Sequence, residues 1–167
     1  CPIWKIDLRK VIDMEKEFNV RGVSIQKGID EADIVILAIP YEGLENIYKY
    51  NFKKNQIIIS PIVDFKHIGI SVAEEIQNTL PFTRVVAAFQ NVPAHIMETS
   101  EKRPTIMVCS DYEESKKVII DLINNSTMFC ALDAGKITSA RIIEQITPLL
   151  IKIAKLNGLK DLSIRIV

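Results

Sequence analysis

The 167-residue sequence has no glycine-rich phosphate loop: its six glycines are scattered and never fall in a G-x-G-x-x-G arrangement. Histidine is almost missing, with only His67 and His95, and there is no C-x-x-C pair. No metal-ligand set and no Ser/His/Asp or Cys/His constellation can be assembled from so few groups, so neither a metal site nor a catalytic side chain is expected. His95 and Glu98 could share a helix face, but such a lone pair is usually surface decoration. Net charge is missing too: 21 basic and 21 acidic side chains cancel, and no nucleic-acid or anionic-membrane partner is expected. No apolar run reaches the length of a membrane span, and no signal-peptide pattern opens the chain. Cys1, Cys109 and Cys130 are odd in number and unhelpfully spaced; Cys109 and Cys130 lie in apolar, strand-like runs, which predicts two buried thiols in a reducing cytoplasm.

What is there is an ordinary globular composition, 48% hydrophobic and 25% charged, in a length that suits a single domain over 1–167. "IWKID" (3–7) reads as a strand, followed by a helix carrying Val11, Met14 and Phe18 at helical spacing. Gly22 and Gly28 mark a short link. "DIVILAI" (33–39) is a β-branched run expected to be buried on both faces of a parallel sheet. Pro40 closes it, and "YEGLENIYKY" follows as a helix. "QIIIS" (56–60), "TRVVAAF" (83–89), "PTIMVCS" (104–110) and "TMFCALD" (127–133) are further strands, and "VAEEIQNTL" (72–80) is a helix. A capping box, Ser110 with Glu113 or Asp111 with Glu114, is expected to start the helix after 110. A long last helix carries Ile142, Ile143, Ile146, Leu149, Leu150 and Ile153 as an apolar stripe. Pro148 should kink it and Asn157-Gly158 should stop it; "LSIRIV" is a candidate edge strand. Alternating strands and helices predict an α/β, doubly wound parallel sheet, with about 136–167 as a C-terminal helical extension.

In such sheets, ligands bind beyond the carboxyl ends of the strands. Four ends share a texture, "LAIP", "IISP", "AFQNVPA" and "ALDAG": small, proline or polar residues where the chain leaves the sheet. They could line an apolar slot for a flat cofactor ring, or each proline could simply end its strand. Asp7 could accept hydrogen bonds from an adenosine ribose, and Arg9 could attract a 2′-phosphate; a strand-end acid capping the next helix is the plainer alternative. The scarcity of acid–base groups fits hydride transfer, in which cofactors carry the reactive atoms. It fits a binding domain equally well.

"DIVILAIPYEGLENI", "QIIISPIVDF", "RVVAAFQNVPA" and above all "LDAGKITSARIIEQITPLLIKIAKLNG" resemble the NADPH-dependent coenzyme F420 reductases of archaea and some bacteria. The resemblance implies a Rossmann-type fold, a homodimer, and NADP (or NAD) with coenzyme F420 as cofactors. Nicotinamide would sit against Ala38, Ile39, Pro40 and Tyr41. The deazaflavin would stack on it in corners formed by Ser60, Pro61, Ile62, Val63 and by Gln90, Asn91, Val92, Pro93, Ala94. Hydride would pass directly between the rings. The family usually has histidine-threonine where Gln90-Asn91 stands, and often tryptophan where Tyr41 stands. Its first strand and glycine-rich loop would precede Cys1, so the chain is expected to be an N-terminally truncated form, inactive as it stands. A flavin or ferric reductase related to the metalloreductase STEAP proteins and a non-catalytic dinucleotide-sensing domain are the rival expectations.

Overall fold

The computed structural model describes residues 8–64, 69–93, 96–97, 103–159 and 162–166, with the backbone alone for 8–11 and 14. The expected strand at 3–7 therefore lies outside the described residues. The expected helix is α1 (Leu8–Phe18). A second helix, α2 (Ile25–Glu31), stands where the sequence suggested only a link. Gly28 weakens it locally, but tertiary contacts hold it. Ile29 is buried in the core, and Gln56 Nε2 donates to the Ile29 and Ala32 carbonyls, both at 2.8 Å, at the helix end.

Three parallel strands follow, β1 (Ile34–Ile36), β2 (Ile57–Ser60) and β3 (Arg84–Ala87), in the spatial order β1-β2-β3. Their register aligns Ile36 with Ile59 and Ser60 with Ala87, so the three carboxyl ends leave the sheet along one edge. A 3-10 turn (Tyr41–Gly43) and a short helix, α3 (Leu44–Ile47), follow β1, and α4 (Val72–Thr79) precedes β3. Alternation along the central strands splits the core into two layers. Ile58 and Val85 face Leu44, Val72 and Ile76, while Ile59 and Val86 face Ile106, Val108 and Ile119. β2 is buried as expected. β1 is not: Ile36 is 56% exposed, because among the described residues β1 is the border strand and has a neighbour on one side only.

β4 (Thr105–Val108) and β5 (Cys130–Asp133) form a second parallel pair. They join β3 through an antiparallel bridge, with Ala87 and Cys109 exchanging both backbone hydrogen bonds at 2.9 and 3.0 Å. The sheet is thus parallel within each part and inverted between them. Helix α5 (Glu113–Asn124) begins at Tyr112 without a side-chain cap. The capping box expected there does not form, because its residues are engaged elsewhere. The Ser110 hydroxyl donates to the Val85 carbonyl (2.6 Å), and Asp111 accepts from the Ile137 N–H (3.3 Å). A capping box does form at α4, where Ser71 and Glu74 satisfy each other's backbone N–H groups.

After a 3-10 turn (Ile137–Ser139), α6 runs from Ala140 to Asn157, passes through Pro148, and ends on Gly158 in the left-handed region, as Asn157-Gly158 foretold. Of the expected apolar stripe, Ile143 is buried, Ile146 and Leu150 are half-buried, and Ile142, Leu149 and Ile153 are exposed; Ala140, Glu144 and Thr147 complete the buried face. No strand forms within 162–166, although Thr105 N–H donates to the Ile164 carbonyl at 2.9 Å. Ile58 is fully buried mid-sheet, so Ile58→Ala should lower the unfolding free energy by about 2–5 kcal/mol in urea titration.

Candidate functional site

The shared edge of β1, β2 and β3 brings together three of the expected corners. After β1, Ala38 and Pro40 are exposed and Ile39 is half-buried. The corner turns tightly: Ile39 N–H donates to the Leu37 carbonyl (2.9 Å), and Gly43 N–H to the Pro40 carbonyl (2.9 Å). A Cβ on Gly43 would come within 3.4 Å of Ile39 Cδ1. The Tyr41 hydroxyl donates to Glu75 Oε2 at 2.8 Å, tying the corner to α4. That bond, then burial, pushes the phenol up to about 12, so it stays protonated.

After β2, Ser60 and Ile62 are buried and Pro61 and Val63 half-buried. After β3, Phe89 takes a φ of 66°, the left-handed region that a bulky residue rarely occupies. Such strain persists only where surrounding contacts over-determine the backbone, and here they do. Asn91 is fully buried; its Nδ2 donates to the Thr105 carbonyl (2.7 Å) and its Oδ1 accepts from the Met107 N–H (3.1 Å). Gln90 is 2% exposed, and its Nε2 donates to the Ile62 carbonyl (3.1 Å) and to Glu144 Oε1 (2.9 Å). The side chains of Gln90 and Asn91 therefore point into the protein. Val92 is also buried, packed in the second core layer, while Pro93 is half-buried.

Ala94 and Asp7 lie outside the described residues, as does the Arg9 side chain. The fourth strand end, "ALDAG", does not join the others. β5 runs with β4 and therefore opposite to β3, so Asp133–Gly135 leaves the sheet in the opposite direction. There Lys116, 4% exposed, sits 2.9 Å from both Glu113 and Asp133 as a satisfied ion triad. Among the described residues no His/Cys/Asp/Glu cluster could hold a metal ion.

Sequence reasoning missed Glu144 and Thr147. The Thr147 hydroxyl donates to the Gln90 carbonyl (2.5 Å), and Glu144 accepts from the Val72 N–H (3.0 Å) as well as from Gln90. Both are buried. The available signal was their helical spacing with Ala140 and Ile143, overshadowed by a richer apolar stripe. Burial pushes the Glu144 carboxyl up to about 7, against the lowering effect of the Val72 and Ala73 N–H groups and Gln90. Glu74 moves the other way. Burial raises it, but hydrogen bonds from Arg141 (2.6 and 2.7 Å) and Ser71 outweigh burial and hold it below the usual carboxyl range.

Comparison with known proteins then decides the family. The F420-dependent NADP reductase of Methanocaldococcus jannaschii is 37% identical over 167 residues, covering 90% of this chain and 74% of the relative. The chain belongs to the F420-dependent NADP reductases. The Methanothermobacter thermautotrophicus member is 38% identical over 169 residues, 90% of this chain and 72% of its own length. No protein-family model matches. Among solved structures, an Arthrobacter protein provisionally assigned as an F420-dependent NADP reductase superposes with a TM-score of 0.70 at 20% identity, over 87% of this chain and 74% of that one. Streptococcus pyogenes 1-pyrroline-5-carboxylate reductase gives 0.55 at 21% identity, over 92% and 60%. These likenesses show a Rossmann-like α/β fold, and family membership makes this reductase an oxidoreductase.

The two buried carboxyls give the reductase opposing pH dependences. Glu144 is raised from 4.5 to about 7, so its contribution to stability is present below pH 4.5 and is lost as the pH climbs to about 7. Glu74, being lowered, contributes above the usual carboxyl range and loses that contribution as the pH falls through its folded value. In denaturation series across pH, Glu144→Gln should flatten the decline between pH 4.5 and 7. Glu74→Gln should remove part of the acid-side loss and leave that decline in place.

Proposed function

We propose that this reductase transfers a hydride between NADP(H) and coenzyme F420 with the two rings stacked directly on the β1–β3 edge. The observation that carries this reading is the parallel register, which sets the three corners side by side. The residues present suit flat rings. Ala38 and Pro40 are small and exposed, and Gly43 lets the corner close against Ile39. When bound, the cofactors supply the chemistry, hydride passing between nicotinamide C4 and the deazaflavin ring carbon.

The protein's part is placement and dryness. Ala38, Ile39, Pro40 and Tyr41 form the nicotinamide side. Ser60–Val63 and Val92–Ala94 form the deazaflavin side. Gln90 and Asn91, turned inward, hold that second corner in shape. Asp7 and Arg9 serve the adenosine half, with NAD as the alternative to NADP. The exposed apolar stripe of α6, with Ile142, Leu149, Ile153 and Leu156 at helical spacing, is the surface for a homodimer. The cytoplasm is the compartment that fits a deazaflavin reductase, and no described helix is long and apolar enough to cross a membrane.

The test, made on the full-length protein, is anaerobic oxidation of NADPH and NADH with F420, a flavin or ferric iron as acceptor. NADPH oxidation by F420 is expected; transfer to flavin or iron alone would favour the STEAP-like alternative, and dinucleotide binding without turnover the sensing domain. Pro40→Glu should cut turnover at least tenfold with an unchanged unfolding midpoint, because Pro40 is exposed. Val92 is in the core, so a charged residue there would unfold the protein instead. Leu149→Glu should convert the dimer to a monomer in sedimentation.

A further inference from the structure

Glu144 lies at the meeting point of three elements. It belongs to α6, it accepts from the Val72 N–H at the start of α4, and it accepts from the Gln90 amide at the end of β3. The same Gln90 Nε2 holds the Ile62 carbonyl of the β2 corner. The other end of that amide is not satisfied: Gln90 Oε1 is buried and has no hydrogen-bond partner. A buried acceptor without a donor is costly, and here it is on the residue that the carboxylate orients.

We propose that Glu144 is a positioning residue whose ionised carboxylate fixes the Gln90 amide on the Ile62 carbonyl, and whose protonation turns that amide over and releases the β2 corner. A carboxylate can only accept, so it selects the Nε2 end of the amide. Once protonated, Glu144 carries an O–H that needs an acceptor, and Gln90 Oε1 is the unused one beside it. A half-turn of the amide brings Oε1 to Glu144 and carries Nε2 away from Ile62. The Thr147 bond to the Gln90 carbonyl is untouched, so the change is confined to the side chain.

Two titratable groups face Glu144, and neither competes with it near neutrality. From α4 it meets Glu74, held ionised by Arg141. From the end of β4 it meets the Cys109 thiol, which burial pushes up to about 12. Its own carboxyl sits at about 7. The inference rests on the cofactor-edge reading only for its consequence, that F420 binds less well when the β2 corner is released.

The experiment is nitrogen-15 NMR of the whole chain without cofactor, following the Gln90 side-chain NH2 and the Val63 N–H across neutral pH. Wild type should show one shared inflection near 7. Glu144→Gln, which places a permanent donor beside Gln90 Oε1, should show none and should match the low-pH wild-type shifts. In turnover, wild-type KM for F420 should rise about fivefold on the acid side, the worth of one hydrogen bond. In Glu144→Gln it should stay raised at every pH, with kcat nearly unchanged. Gln90 NH2 shifts independent of pH in wild type overturn the proposal, and so does the same inflection persisting in Glu144→Gln, which would assign it to a histidine. Should the variant fail to fold, the carbon-13 shift of the wild-type Glu144 side-chain carboxyl decides: it must share the Gln90 inflection, and a carboxyl shift that does not move with it overturns the proposal. No turnover by the full-length protein at any pH would reject the reductase reading while leaving the NMR result to judge the latch.

Discussion

The edge of this sheet depends on how the chain is pinned where it leaves β3. Phe89 sits at positive φ, a conformation that costs about 1–3 kcal/mol for such a residue. The two side chains that follow offset that cost from inside. Asn91 closes two hydrogen bonds to the β4 backbone, and Gln90 spans from the β2 corner to α6. Thr147 adds a third hold on the Gln90 carbonyl. Without these bonds the corner would relax, and the β2 and β3 ends would no longer keep a common surface. A polar network buried so close to an open edge gives a shape that apolar packing alone would not specify.

Much of the fold was legible because each signal was local. The isoleucine run of 57–59, the helix of 72–79 and the Asn157-Gly158 stop all follow from spacing and turn chemistry that neighbours do not override. Where tertiary contacts decide, the sequence misled. Gly28 argued against a helix that Ile29 and Gln56 nevertheless hold. Ser110 and Asp111 looked like caps but bond to Val85 and Ile137. In α6 the apolar stripe is split, with Ile143 buried and Ile142 and Leu149 exposed, and the buried face also contains a glutamate and a threonine. Hydrophobicity alone does not reveal that Glu144 and Thr147 share the buried face, because their partners lie in other elements.

The candidate site was legible as a set of corners rather than as side-chain roles. Pro40 and Pro61 marked where β1 and β2 leave the sheet, and the register sets those ends beside the end of β3. Nothing in the sequence announced that β4 and β5 run the other way, which removes "ALDAG" from the group. Nor could spacing tell that Gln90 and Asn91 turn inward, since an amide at a strand end serves a ligand or a neighbouring carbonyl equally well. The family relationship supplies an oxidoreductase using NADP and F420, and the structure supplies the edge where β1, β2 and β3 end together.

The most direct test of the edge as the cofactor surface is amide-shift mapping of the whole chain titrated with NADP and F420. The account predicts perturbations concentrated at 38–41, 60–63 and 89–93. Perturbations gathered instead at the amino ends of these strands, around Asn55, Gln56 and Arg84, or around Lys116 and Asp133, would contradict it.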